Sequence, residues 1–130
     1  MARILATGSV AIDTTRTPFK TATRVLGGAA TFFAVSASHF TGVSLVSIVG
    51  RDFPNEHLKM LEGRGIDLRG LQHAKGETMF FDSTFSYDMY SRTANKTELG
   101  VFKAFKPKIP PEYADLPYVY LGTMPPERQL

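Results

Sequence analysis

The sequence contains no cysteine. That absence excludes disulfide scaffolds, Cys-based zinc sites and thiol nucleophiles, and it fits a cytoplasmic location. No stretch approaches the roughly 18 apolar residues needed to cross a bilayer. The apolar segment that follows Met1-Ala2-Arg3 meets Asp13 too early, and is too β-like, for a signal peptide. A soluble, unprocessed protein with no membrane partner is expected. Net charge is also small. Fifteen Lys+Arg against twelve Asp+Glu leave +3, scattered along the chain, with no dense basic stripe for nucleic acid. Neither GxGxxG nor GxxxxGK[ST] occurs, so the chain carries no nucleotide-binding fingerprint, and a Rossmann dinucleotide binder is disfavoured. Ser36, Ser38 and Ser47 lie in buried-type positions without a GxSxG elbow. His39, His57 and His73 stand far apart with no second ligand at i+3 or i+4, so no metal site is expected.

What is present is an ordinary globular mixture: 130 residues, 43% hydrophobic and 21% charged. The length suits one domain that buries roughly two thirds of its unfolded surface. Ile4 to Ile12 (ILATGSVAI) is a nearly continuous apolar run, as in a strand covered on both faces, with Asp13 at its end. Thr14 to Val25 is Thr-rich with Pro18 and Lys20 in the middle, which predicts a small hairpin. After Gly27-Gly28, residues Ala29 to Phe40 predict a tightly packed helix with Phe33, Ala37 and Phe40 on its apolar face. Val43 to Val49 predicts a second buried strand, so strand, helix and strand form a right-handed parallel crossover. Pro54 opens a second helix with Leu58 and Leu61 inward, stopped by Gly63 and Gly65.

From Thr78 to Met89 the period changes to two. Met79, Phe81, Phe85, Tyr87 and Met89 share one parity, and Asp82, Thr84, Ser86 and Asp88 the other, which predicts a strand with one wet face. Thr97 to Phe105 is a plausible return strand after the polar loop SRTANK. Tyr118 to Leu121 is read as a third buried strand, and Pro125 and Pro126 as the first turn of another helix. Three buried parallel strands with two or three helices make part of a doubly wound sheet. One side of it should be bare or covered by another molecule, and the fragment alone is expected to be poorly stable or self-associating.

Three places could carry chemistry. Asp13, at the carboxyl edge of a parallel sheet, could accept hydrogen bonds from a polyol, or merely cap a turn. Gly27-Gly28 before a helix could admit a ligand to backbone N–H groups, or form a tight turn in a crowded place. The ribbon bearing Phe80, Phe81, Phe85, Tyr87 and Tyr90 among carboxylates could close over a sugar or nucleoside, or form a dimer interface.

Taken together, the strand ending in Asp13, the Thr-rich ribbon, Gly27-Gly28 opening a small-residue helix, VSLVSIVGRDFP with Gly50 and Asp52, RGIDLRGL with Gly65 to Asp67, and the aromatic ribbon resemble the N-terminal part of a ribokinase-type (PfkB) carbohydrate kinase. The closing FKPKIPPEYADLPYVYLG is similar to a branch of sugar kinases of unknown substrate. The resemblance implies an α/β fold, a partial ribokinase-like (Rossmann-like) three-layer sandwich with parallel central strands and a β-ribbon lid. Residues 1–130 would be an N-terminal fragment of one kinase domain, with lid segments 14–25 and 77–105. Its activity would be phosphoryl transfer from ATP, with Mg²⁺, to a sugar hydroxyl. Asp13 would hold substrate hydroxyls, Gly27 and Gly28 would let the sugar lie on the backbone, and Phe81 and Phe85 would belong to the covering lid. In many relatives that lid also makes a homodimer. Phe32 stands where the family usually has a sugar-contacting Asn, which implies a less polar or differently shaped substrate. A nucleoside (adenosine-like) or inositol kinase is the alternative, and a non-catalytic binding or dimerisation module the alternative of another class. The family's catalytic Asp, anion hole and ATP site lie in the C-terminal half, so no catalytic residue is expected in this chain, which is read as truncated and inactive by itself.

Overall fold

The structure is a computed structural model that describes residues 3–130. It is built on two four-stranded sheets. The first is wholly parallel in the order β5-β4-β1-β8. Its strands are β1 (Arg3–Thr7), β4 (Gly42–Val49), β5 (Ile66–His73) and β8 (Tyr118–Leu121). The second runs β3-β2-β6-β7. It comprises β2 (Ala11–Arg16), β3 (Thr21–Gly27), β6 (Met79–Phe85) and β7 (Arg92–Glu98). In it β2 pairs antiparallel with β3 and parallel with β6, and β6 pairs antiparallel with β7.

Helices α1 (Ala29–Ala37) and α2 (Asn55–Gly63) cover one face of the parallel sheet. Ala30 and Ala34 of α1 and Leu61 of α2 pack there with Ala6, Val43, Leu45 and Val49. The other face carries Leu5, Val46 and Ile48 against Phe102, Phe105 and Tyr113, which sit on or beside 3-10 turns at Gly100–Ala104 and Pro111–Tyr113. The strand β4 is buried from Val43 to Val49, as a strand covered on both faces must be. A short helix, α3 (Pro126–Gln129), ends the chain. The result is the expected α/β three-layer arrangement with parallel central strands, beside which the second sheet projects.

Several expectations are corrected. The run Ile4 to Ile12 is two strands, not one. The chain turns at Gly8 (φ 139°), where a side chain would press within 2.9 Å of the Gly122 backbone. Asp13 therefore lies on β2 in the second sheet and not at the carboxyl end of β1. The parallel sheet has a fourth strand, β5, hidden in RGIDLRGL because its two faces are covered unequally. The strand β8 is not buried. Among the described residues it pairs only with β1 and forms an edge, leaving Tyr118 61% and Val119 58% exposed.

The helix α1 stops at Ala37, and its buried stripe is Ala30, Thr31 and Ala34. Small residues let it sit close to the sheet, and Phe40, which lies beyond the helix end in a turn, is 87% exposed. The strand β6 ends at Phe85. Period two fails beyond it because the chain turns through Met89 at φ 65°. The strand β7 ends at Glu98, and the chain then enters a 3-10 turn whose Phe102 and Phe105 join the core. Residues 14–25 lie within the hairpin β2–β3, and residues 77–105 hold the hairpin β6–β7 followed by the 3-10 turn that returns to the core.

Candidate functional site

The strand β2 lies in the interior of the second sheet, and its register sets the site. Asp13 stands opposite Val25 on β3 and Phe81 on β6, while Ala11 stands opposite Gly27. The Asp13 carboxylate folds back over Gly27, where any Cβ would fall on it. This is the physical need for glycine at that position. Gly27 makes room for the acid.

The acid is costly where it sits. Its Oδ1 is buried and accepts no hydrogen bond from the described residues. Burial pushes the carboxyl pKa up, against a smaller downward pull from Arg92. An unsatisfied buried acceptor is a cost to the fold that a donating ligand would relieve. Asp13, Thr15, Phe81, Ser83, Phe85 and Arg92 line one cleft of about 130 Å³. On this face, period two places Phe81, Ser83 and Phe85 in a row along β6. Two apolar rings thus adjoin a carboxylate acceptor and a guanidinium donor. Arg92 donates from Nε to Ser83 Oγ at 3.0 Å.

Gly28, also expected at the site, holds the turn instead. It has φ 102°, and a side chain there would strike the Ser9 carbonyl. The helix start is less open to a ligand than expected. Ala29 N–H donates to Ser9 Oγ and Ala30 N–H to the Ser9 carbonyl, each at 3.0 Å. Phe32 does not join the group. It is 64% exposed on α1 and absent from the cleft lining. The structure therefore brings together Asp13, Gly27, Phe81 and Phe85, keeps Gly28 beside them in a tight turn of the backbone, and leaves Phe32 outside.

Arg92, Ser83 and Thr15 join the site without having been singled out in the sequence. Arg92 falls within SRTANK, which reads as a loop. The strand RTANKTE is exposed along nearly its whole length, so no apolar periodicity marks it.

The opposite face of the second sheet forms another cleft, of about 320 Å³, lined by Ile12, Arg24, Asp52, Thr78, Phe80 and Lys96 among others. Asp52, the acid of the GRD phrase, is engaged there by the protein itself. Its Oδ1 accepts from Thr78 N–H at 2.8 Å and from the Thr78 hydroxyl at 2.7 Å. Thr78 Oγ1 accepts from Gly50 N–H at 2.9 Å. This tie fastens the end of β4 to the root of β6. Asp67, the acid of the GID phrase, is likewise held by Arg69 at 2.6 Å, which keeps its carboxyl well below the usual range. Among the described residues, no group of three or more His, Asp or Glu is gathered to hold a metal ion, and no helix is long and apolar enough to cross a membrane.

The two-sheet architecture is found in solved kinases. The nucleoside kinase of Methanocaldococcus jannaschii, an archaeal member of the ribokinase family, matches 98% of this chain and 46% of its own with a TM-score of 0.76 and 22% identity. The ribokinase of Cryptococcus neoformans var. grubii serotype A, solved with ADP, matches 93% of this chain and 42% of its own with a TM-score of 0.72 and 21% identity. The nucleoside kinase of Burkholderia thailandensis, solved with inosine, matches 75% of this chain and 35% of its own with a TM-score of 0.66 and 16% identity. The fold is ribokinase-like.

In sequence, the chain is 33% identical over its whole length to the cytidine kinase of Thermococcus kodakarensis, of which it covers 46%. No family model matches the sequence. The chain is thus similar to this cytidine kinase along its whole length and shares the ribokinase-like fold, and it spans less than half the length of these relatives.

Proposed function

We propose that this chain is the acceptor-binding and lid portion of an ATP-dependent kinase that phosphorylates a hydroxyl of a nucleoside. The observation that carries this is the Asp13 carboxylate, half-buried with Oδ1 unpartnered, beside the rings of Phe81 and Phe85. An ionised carboxylate only accepts hydrogen bonds, so its natural partner is a hydroxyl pair such as that of ribose. The flanking rings suit the apolar faces of a sugar or base. A nucleoside carries a sugar ring with free hydroxyls, the feature it has in common with the sugar expected from the sequence. The likeness to a cytidine kinase favours the nucleoside.

In this reading Asp13 orients the ribose and the two hairpins cover it. Water is thereby kept from a transferring phosphoryl group. ATP with Mg²⁺ would supply the phosphoryl donor and the neutralisation of its charge. The described residues do not gather a ligand set for that metal, and none is assigned to the chemical step.

The test is a panel of cytidine, uridine, adenosine, inosine, ribose and fructose. Binding is measured on this chain and phosphoryl transfer on the whole protein. Nucleosides are expected to bind and react, and Asp13→Asn to weaken their binding at least tenfold. Turnover of free sugars alone would return the acceptor to the sugar class, and unchanged binding in Asp13→Asn would remove Asp13 from the site.

A second reading concerns the tip of the same lid, as a contact between two copies of the chain. It is favoured by the exposure of Phe19, Tyr87 and Tyr90, with the Phe19 and Tyr87 rings 5.2 Å apart. Sedimentation should show a dimer that Phe19→Asp dissociates. A monomer at micromolar concentration would exclude it.

A further inference from the structure

We infer that Arg92 reads the base of the acceptor, offering its guanidinium fork to two adjacent acceptor atoms, the pattern that O2 and N3 of cytosine present. The inference rests on the nucleoside reading above and adds to it the residue that selects the base.

Arg92 opens β7 opposite Phe85, and its side chain turns back along β6 to Ser83. The Nε–Ser83 hydrogen bond at 3.0 Å is its one side-chain bond among the described residues, and no ion pair engages it there. Ser83 is buried, so it anchors Nε and orients the guanidinium plane while leaving the two terminal nitrogens uncommitted. Two parallel N–H groups match two neighbouring acceptors.

Across the same cleft lies the unpartnered Oδ1 of Asp13. Acid and base line one cleft without joining in an ion pair, so a ligand can lie between them. It would donate hydroxyls at the Asp13 end and accept at the Arg92 end. A nucleoside has both ends, whereas free ribose has no pair of adjacent sp² acceptors. The cleft, at about 130 Å³, is smaller than the roughly 300–1,000 Å³ usual for small-molecule sites. It takes one ring, and the exposed Arg92 marks the outer rim that a base would reach. Uracil sets an N3–H donor beside O2 and would meet the guanidinium donor to donor. Cytosine would not.

The test measures, by calorimetry on the whole protein, the affinities for cytidine, uridine and ribose of the wild type, Arg92→Ala, Arg92→Lys and Asp13→Asn. The wild type should prefer cytidine over uridine by roughly tenfold or more, the discrimination of one bidentate pair. Arg92→Ala should erase that preference through a loss of cytidine affinity that exceeds any loss for ribose, since Arg92 also favours the ionised Asp13. Arg92→Lys, which keeps the charge but not the fork, should fail to restore it. A cytidine preference that survives Arg92→Ala, or a fall of equal size for ribose, overturns the inference while the nucleoside reading stands. A wild type that binds none of the three, or cytidine binding indifferent to Asp13→Asn, removes the nucleoside reading and the inference with it.

Discussion

Replacing Asp52 with Ala should loosen the joint between the parallel sheet and the projecting one. The carboxylate accepts two hydrogen bonds from Thr78, at 2.8 Å and 2.7 Å. Thr78 is 1% exposed, so its N–H and hydroxyl have no water to turn to. A hydrogen bond to a charged group contributes about 1.5–3 kcal/mol, and a stranded buried donor costs about 1–3 kcal/mol. The Asp52 side chain is 32% exposed, which places both bonds at the low end of that range. Arg24, 3.8 Å away, is an exposed partner and adds under about 1 kcal/mol. The loss in Asp52→Ala should be about 3 kcal/mol, or roughly 10 °C in Tm for a chain of this size.

Thr78→Val removes the hydroxyl and strands Gly50 N–H, for about 2 kcal/mol. The two changes share one hydrogen bond, so the double variant should lose about 1 kcal/mol less than the sum. Urea titration with an unchanged m-value is the assay. Single losses under about 0.5 kcal/mol that simply add would show that the joint is not held by this tie.

Asp13→Asn should raise Tm at pH 7 even as it weakens ligand binding. Burial lifts the native carboxyl above its ordinary 3.8, so its favourable contribution is complete below that value and is lost as pH rises through the raised one. The two melting curves should therefore converge in acid, and a variant less stable at pH 7 would contradict the desolvation of Asp13. Gly28→Ala should cost over about 2 kcal/mol in denaturant titration, since φ 102° is poorly accessible to alanine and the new methyl meets the Ser9 carbonyl. Tyr120→Ala should cost about 2 kcal/mol through loss of its stack on Phe33, with ring centroids 3.8 Å apart and planes within 3°. The Asp82 carboxyl should titrate at about 2 by NMR, because Arg16 and Asn95 hydrogen-bond the ionised form. Arg16→Ala should move it up toward 3.8.

Local chemistry made several elements legible from the sequence. The strand β4 was visible because a strand covered on both faces must be apolar throughout. The helix α2 was visible because Pro54 stands directly before it and its apolar residues recur at helical spacing. The strand β6 was marked by its alternating stretch and the β2–β3 region by its Thr-rich one, whereas most of β7 was read as a loop because it is exposed along nearly its whole length.

What the tertiary structure alone decided is how these pieces face one another. Gly8 reads as one more small residue in an apolar run, and only its contact with Gly122 makes it the bend that assigns Asp13 to the second sheet. The edge position of β8 depends on which strands pair, not on its apolar residues. Arg92 reaches the cleft because β7 pairs with β6 in a register that carries its side chain back to Ser83. A residue's type and its nearest neighbours determine its local conformation. Which carboxylate, ring and guanidinium share one cleft depends on strand pairing between residues far apart in the chain, and no spacing along the chain records it.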